Sequence, residues 1–152
     1  MVGNLQRNKV KQVIPLVKLI HSVDSLRLAE EIQQVAARME RTVEVLLEVN
    51  TSTESSKQGV AAPAAAHLAE QLDTMLNVRL RGLMAMGPLV DNPEQTRDVF
   101  ARTYEIYDDI RTQGICGEHF NILSMGMTND FEVAIEEGAN LLRIGRAFFS
   151  EG

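Results

Sequence analysis

Cysteine is nearly absent from this chain: Cys116 stands alone, so no internal disulfide can form and no thiolate framework for a metal is available. Single-cysteine usage fits a reducing compartment better than secretion. Aromatics are also scarce, with five phenylalanines, two tyrosines and no tryptophan. The three histidines, His21, His67 and His119, lie far apart, and His21 and His119 flank strands without a spaced carboxylate or cysteine partner, which leaves a metal site or a Ser-His-Asp triad unsupported. Basic charge is lacking as well. The formal charge of −6 gives no general attraction to nucleic acid or an anionic membrane, and neither is expected as a partner. No apolar run approaches the roughly 20 residues of a membrane span, and the opening MVGNLQRNK has no signal-peptide core. A soluble, cytoplasmic protein is expected.

What is present is globular. Apolar residues make up 45% and charged residues 24% of 152 positions, enough for one domain that buries about 70% of the surface its unfolded chain exposes. Val17–Ile20, Thr42–Asn50 and Val78–Met86 read as buried strands, the last interrupted by Gly82 where a neighbouring backbone comes close. Between them, helices are expected over Leu5–Ile14 closed by Pro15, from Asp24 or Ser25 to Glu40, over Ala64–Met75, and from Asn92–Pro93 to Gly114. No strand pair is joined by a tight hairpin. The fold class is therefore α/β, with parallel β/α units. A five-stranded doubly wound sheet and part of a TIM (β/α)8 barrel both fit, and the opening on a helix favours the barrel.

Asn121–Phe149, NILSMGMTNDFEVAIEEGANLLRIGRAFF, organises the rest. Ile122 and Leu123 run into Ser124, Gly126 and Thr128, and a helix capped by Thr128 or Asn129 follows, ending at Gly138. Leu141–Ile144 repeats the design and ends in Gly145 and Arg146. Each strand delivers small or hydroxyl residues to a helix start, where backbone N–H groups are unpaired and phosphate can be held. If the strands are neighbours, the two turns share one ligand. The competing reading is an ordinary helix cap with nothing bound. Met84 and Met86 read as core filler, and Cys116 as inert.

The segments SMGMTND and AIEEGANLLRIGRAFF, preceded in order by VGNLQRNK, IHSVDSLRLA, LLEVNTSTESSKQG and LRGLMAM, resemble the pyridoxal-phosphate homeostasis proteins, which share the alanine racemase N-terminal barrel. The resemblance covers essentially the whole chain and implies a single partial TIM-barrel domain over 1–152, with about five of eight strands. It implies pyridoxal 5'-phosphate as cofactor, held by Ser124, Met127, Thr128, Arg143, Gly145 and Arg146. Arg143 would meet the pyridine nitrogen and discourage its protonation, weakening the ring as an electron sink. Asn50, Lys57 and Gly59 match a loop of the family. The family's Schiff-base lysine, in a Ser-Lys motif, and its Gly-Glu-Asn motif have no counterpart here, since none of Lys9, Lys11, Lys18 or Lys57 matches that lysine. The expectation is a family member truncated at its start.

Three functions follow. The first is a non-catalytic carrier that holds the phosphate half of the cofactor and serves pyridoxal-phosphate-dependent apo-enzymes. The second is a racemase-like enzyme, which needs a base or lysine at a strand end. The third is a fragment dependent on missing strands, prone to self-association through exposed strand edges.

Overall fold

The computed structural model describes residues 1–53 and 58–149. Its strands are β1 (Leu19–Val23), β2 (Val43–Asn50), β3 (Val60–Ala61), β4 (Val78–Ala85) and β5 (Ile122–Met125). Its α-helices are α1 (Val10–Val13), α2 (Leu26–Arg38), α3 (Ala65–Asp73), α4 (Arg97–Thr112), α5 (Phe131–Glu136) and α6 (Arg146–Phe149). All strand pairs are parallel, in the order β1-β2-β4-β5, with β3 paired to the end of β2. A doubly wound sheet reverses its strand order at a switch point. Here each long strand lies beside its predecessor, as in a barrel, and that order separates the two architectures left open by periodicity.

Local chemistry explains the boundaries. Ser25 Oγ accepts the Leu28 N–H at 3.2 Å and starts α2. Asn92 caps a 3-10 turn over Pro93–Thr96 that runs directly into α4. The expected helix over Leu5–Ile14 is instead 3-10 over Arg7–Lys9, α1, and 3-10 over Ile14–Leu16. Pro15 sits within that last turn and does not close the helix before it. The expected strand Leu141–Ile144 is reduced to one bridge, Leu141 to Ser124, while the two-residue β3 supplies the fifth strand. Two residues following a polar loop are too short for any alternating pattern to mark them. Thr128 and Asn129 do not cap the short helix either. Asp130 is the residue before α5, and its Oδ1 accepts the Met127 N–H at 2.7 Å.

The two faces of the sheet differ. Val45, Leu47 and Val49 of β2, Leu80, Leu83 and Ala85 of β4, and Leu123 and Met125 of β5 pack with Ile32 of α2, Leu72 of α3 and Phe100 of α4 in one core. Each of these side chains larger than alanine contributes roughly 1.5–3 kcal/mol on burial. Leu46 and Met84 are fully buried but stand outside this cluster. A bulge puts Val45 opposite Leu80 and Leu46 opposite Gly82, leaving Arg81 extra. Beyond it, Glu48 pairs with Met84 and Met84 with Ser124, so polar residues line the inner face. At the edge of β1, the Met1 amino group donates to Leu19 O and the His21 N–H donates to Met1 O.

Candidate functional site

The C-terminal ends of β2, β4 and β5 open on a cleft of about 360 Å³. Glu48 and Asn50 come from β2; Met86, Pro88 and Leu89 follow β4; Gly126, Met127 and Asp130 follow β5; Arg143 and Arg146 close the far side. Its size lies within the range of small-molecule sites. No lysine is among the described lining residues, and Lys57 falls outside the described residues.

Arg143 is the centre of the polar network. Its backbone N–H donates to Gly126 O at 2.9 Å, which brings the two expected turns side by side. In the side chain, Nη1 donates to Ser124 Oγ at 2.7 Å and Nη2 to Ala85 O at 3.0 Å. Nε is buried without a hydrogen-bond partner, alone in this among the described side chains. An unmet buried donor of this kind costs about 1–3 kcal/mol or more.

Ser124 is fully buried beneath the cleft. Since its Oγ accepts from Arg143, its own proton is directed at His21 Nδ1, 3.1 Å away. His21 is then the neutral tautomer protonated at Nε2. Burial first, then the Arg143 guanidinium and the amino terminus, push the His21 pKa from 6.5 down to about 4. His21 is 8% exposed. Its depressed value means that the unfolded chain binds the proton more readily. Stability from neutral His21 is complete above pH 6.5 and is lost as pH falls toward 4, by roughly 3 kcal/mol. Between those pH values wild type should therefore lose about 3 kcal/mol more than His21→Asn, which keeps an acceptor for Ser124. Urea denaturation at each pH measures this; parallel profiles would refute it.

One carboxylate, Glu48, lies on the inner face, within electrostatic reach of a second, Asp24. Burial, with the Asp24 carboxylate behind it, pushes Glu48 up against the pull of Arg143. Burial likewise raises Asp24. Burial lowers Arg143, opposed by Asp130 and Glu48.

Of the residues expected in the site, Met127, Arg143 and Arg146 line the cleft, and Ser124 supports Arg143 from below. Thr128 and Gly145 are half-buried and outside the lining. The Met127 N–H is taken by Asp130, so this amide is closed to a phosphate. At Gly126, φ is +100° and a Cβ would stand 2.7 Å from that of Ala134, so only glycine turns the chain here. Sequence reasoning read His21 as structural and passed over Glu48. The signal for Glu48 was weak, because β2 carries two glutamates, Glu44 and Glu48, and the sequence does not distinguish the buried one. Met84 is buried as expected, but Met86 is 45% exposed and lines the cleft. Burial raises Cys116 to about 12, in keeping with an unreactive thiol.

Parallel β/α units in barrel order, with a cleft at the strand C-terminal ends, define a segment of a (β/α) barrel with a small-molecule site. Residues 1–151 match the alanine racemase N-terminal domain. The chain belongs to that family, on its pyridoxal phosphate homeostasis branch. It is 43% identical over 151 residues to the pyridoxal phosphate homeostasis protein of Aquifex aeolicus, covering 99% of this chain and 65% of that one. The crystal structure of an unknown protein from Bifidobacterium adolescentis matches with a TM-score of 0.92 and 42% identity, over 97% of this chain and 59% of that one. PipY of Synechococcus elongatus with pyridoxal phosphate bound matches with a TM-score of 0.87 and 30% identity, over 97% and 68%. The chain thus spans about two thirds or less of the lengths of these relatives. Among the described residues, no helix is long and apolar enough to cross a membrane.

Proposed function

We propose that this chain binds pyridoxal 5'-phosphate reversibly and without a covalent bond, as a non-catalytic carrier in intracellular cofactor homeostasis. The observation that carries the reading is Arg143, which lines a cleft at the strand ends and keeps a buried, unmet Nε donor. In this reading Arg143 Nε donates to the pyridine nitrogen, and Arg146 with the Gly145 turn attracts the phosphate. Thr128, Met127 and the underlying Ser124 shape the opposite turn. The bound group would supply its aldehyde and electron-withdrawing ring. A permanently charged guanidinium beside the ring nitrogen disfavours that nitrogen's protonation, which suits holding the cofactor better than carbanion chemistry.

The relatives' homeostasis names support the non-catalytic half of the proposal. Recipients would be cytoplasmic apo-enzymes, met at the apolar rim made by exposed Leu89, Met86 and Met127. Self-association would use the edges beside β1 and β5.

Absorbance titration with pyridoxal phosphate should show saturable binding that gel filtration reverses. Borohydride treatment followed by mass analysis should leave the chain mass unchanged. A stoichiometric reduced adduct on a lysine would sink the noncovalent reading, and absence of saturable binding would sink the carrier itself.

A further inference from the structure

The cleft holds a second charged group that cofactor binding through Arg143 and Arg146 leaves unused. Glu48 is 5% exposed, lines the cleft, and makes no hydrogen bond or ion pair among the described residues. Arg143 is near enough to influence it electrostatically, yet both Nη groups are directed elsewhere, to Ser124 and Ala85. The other neighbouring charge, Asp24, has the same sign and opposes ionisation. The Glu48 carboxylate is confined to the cleft side, where a donor that enters the cleft can reach it and offset the cost of its partial burial.

The strand register places this group. Glu48 is opposite Met84, and Met84 is opposite Ser124, which holds Arg143. Two strand spacings separate Glu48 from Ser124, about 10 Å between backbones. One small molecule can reach both sides of such a cleft. Its cation-attracting side is Glu48 and its anion-attracting side is Arg143 with Arg146.

Resting on the pyridoxal phosphate reading, we infer that Glu48 selects ammonium-bearing phosphate esters, so that the cleft prefers the amine form of the cofactor, pyridoxamine 5'-phosphate, to uncharged analogues. The ammonium donates to the Glu48 carboxylate while the phosphate lies toward Arg146. No bond is made or broken in this recognition. The amine's charge also draws the carboxylate toward its ionised form, against the burial that otherwise raises its pKa.

Isothermal titration with pyridoxamine phosphate and pyridoxine phosphate tests the idea, because these ligands differ by an ammonium in place of a hydroxyl. Wild type should bind the amine about 10-fold more tightly, the worth of one charge-assisted hydrogen bond. Glu48→Gln, of the same shape and without charge, should bring the ratio close to one. Glu48→Asp should keep a preference for the amine, which guards against a Gln variant that fails to melt cooperatively. Equal wild-type affinities, a preference retained in Glu48→Gln, or one lost in a folded Glu48→Asp would each overturn the inference. If pyridoxal phosphate binds while the amine gains nothing, the inference alone falls. If none of the three esters binds, the carrier reading falls with it.

Discussion

Replacing Arg143 by leucine is expected to weaken pyridoxal phosphate binding about 100-fold, the scale of a lost hydrogen bond from a charged donor in a desolvated site. The same change removes the donors to Ser124 Oγ and Ala85 O, and with them the link to His21. Some stability should go too, although the leucine relieves the buried, unmet Nε. Arg143→Lys separates these effects. A lysine keeps the charge but cannot direct three N–H groups along a rigid planar fork. It should retain the general attraction for phosphate and lose most of the orientation, giving intermediate affinity. Titration of each variant, with thermal melts run alongside, provides the comparison. Arg143→Leu binding within a few-fold of wild type would remove Arg143 from the site.

Gly82→Ala should produce the largest loss of stability in the chain, above about 4 kcal/mol, a size reached only when packing or backbone is directly obstructed. A Cβ at Gly82 would stand 1.7 Å from Ile122 O and 2.6 Å from its carbonyl carbon, and φ there is +156°. Both atoms belong to the backbone of β5, which can yield only by separating from β4. Domains are stable by about 5–15 kcal/mol in total, so most of the margin is at stake. The urea midpoint should fall sharply, with aggregation from the uncovered edge of β4. An unchanged midpoint would mean that the two strands do not meet as described.

Gly82 also shows what a linear reading can recover. A glycine inside an apolar strand points to close backbone approach, and the structure places Ile122 there. The strands β2 and β4 and the helices α2, α3 and α4 were legible because their apolar period spans several turns or alternations, whereas the short first helix was not. Ser25 and Asn92 were legible because capping is a local matter between residues two or three apart. The Leu141–Ile144 strand was expected too strongly: an apolar run marks burial, whereas ladder formation depends on the neighbouring chain, and Asn140 takes up part of that pairing through its side chain. The polar inner face was the least legible feature. His21, Glu48, Ser124 and Arg143 are separated by tens of residues, and only the register of parallel strands brings them together. Sequence reasoning found Ser124 and Arg143 because a turn motif follows each. Nothing local joins His21 or Glu48 to them, and β2 offers two glutamates, of which Glu44 pairs with Arg81 while Glu48 turns to the cleft.

The guanidinium of Arg143 also acts as a tie bar. Through Ala85 it holds the end of β4, through Ser124 the end of β5, and through the serine hydroxyl it reaches His21 on β1. Its remaining donor, Nε, is buried within the same network, and the residue itself lines the cleft. A ligand that engages this guanidinium would therefore pull on three strands at once, and the curvature of the sheet would become part of its grip. Loss of such a ligand would register as a loosening of the frame itself.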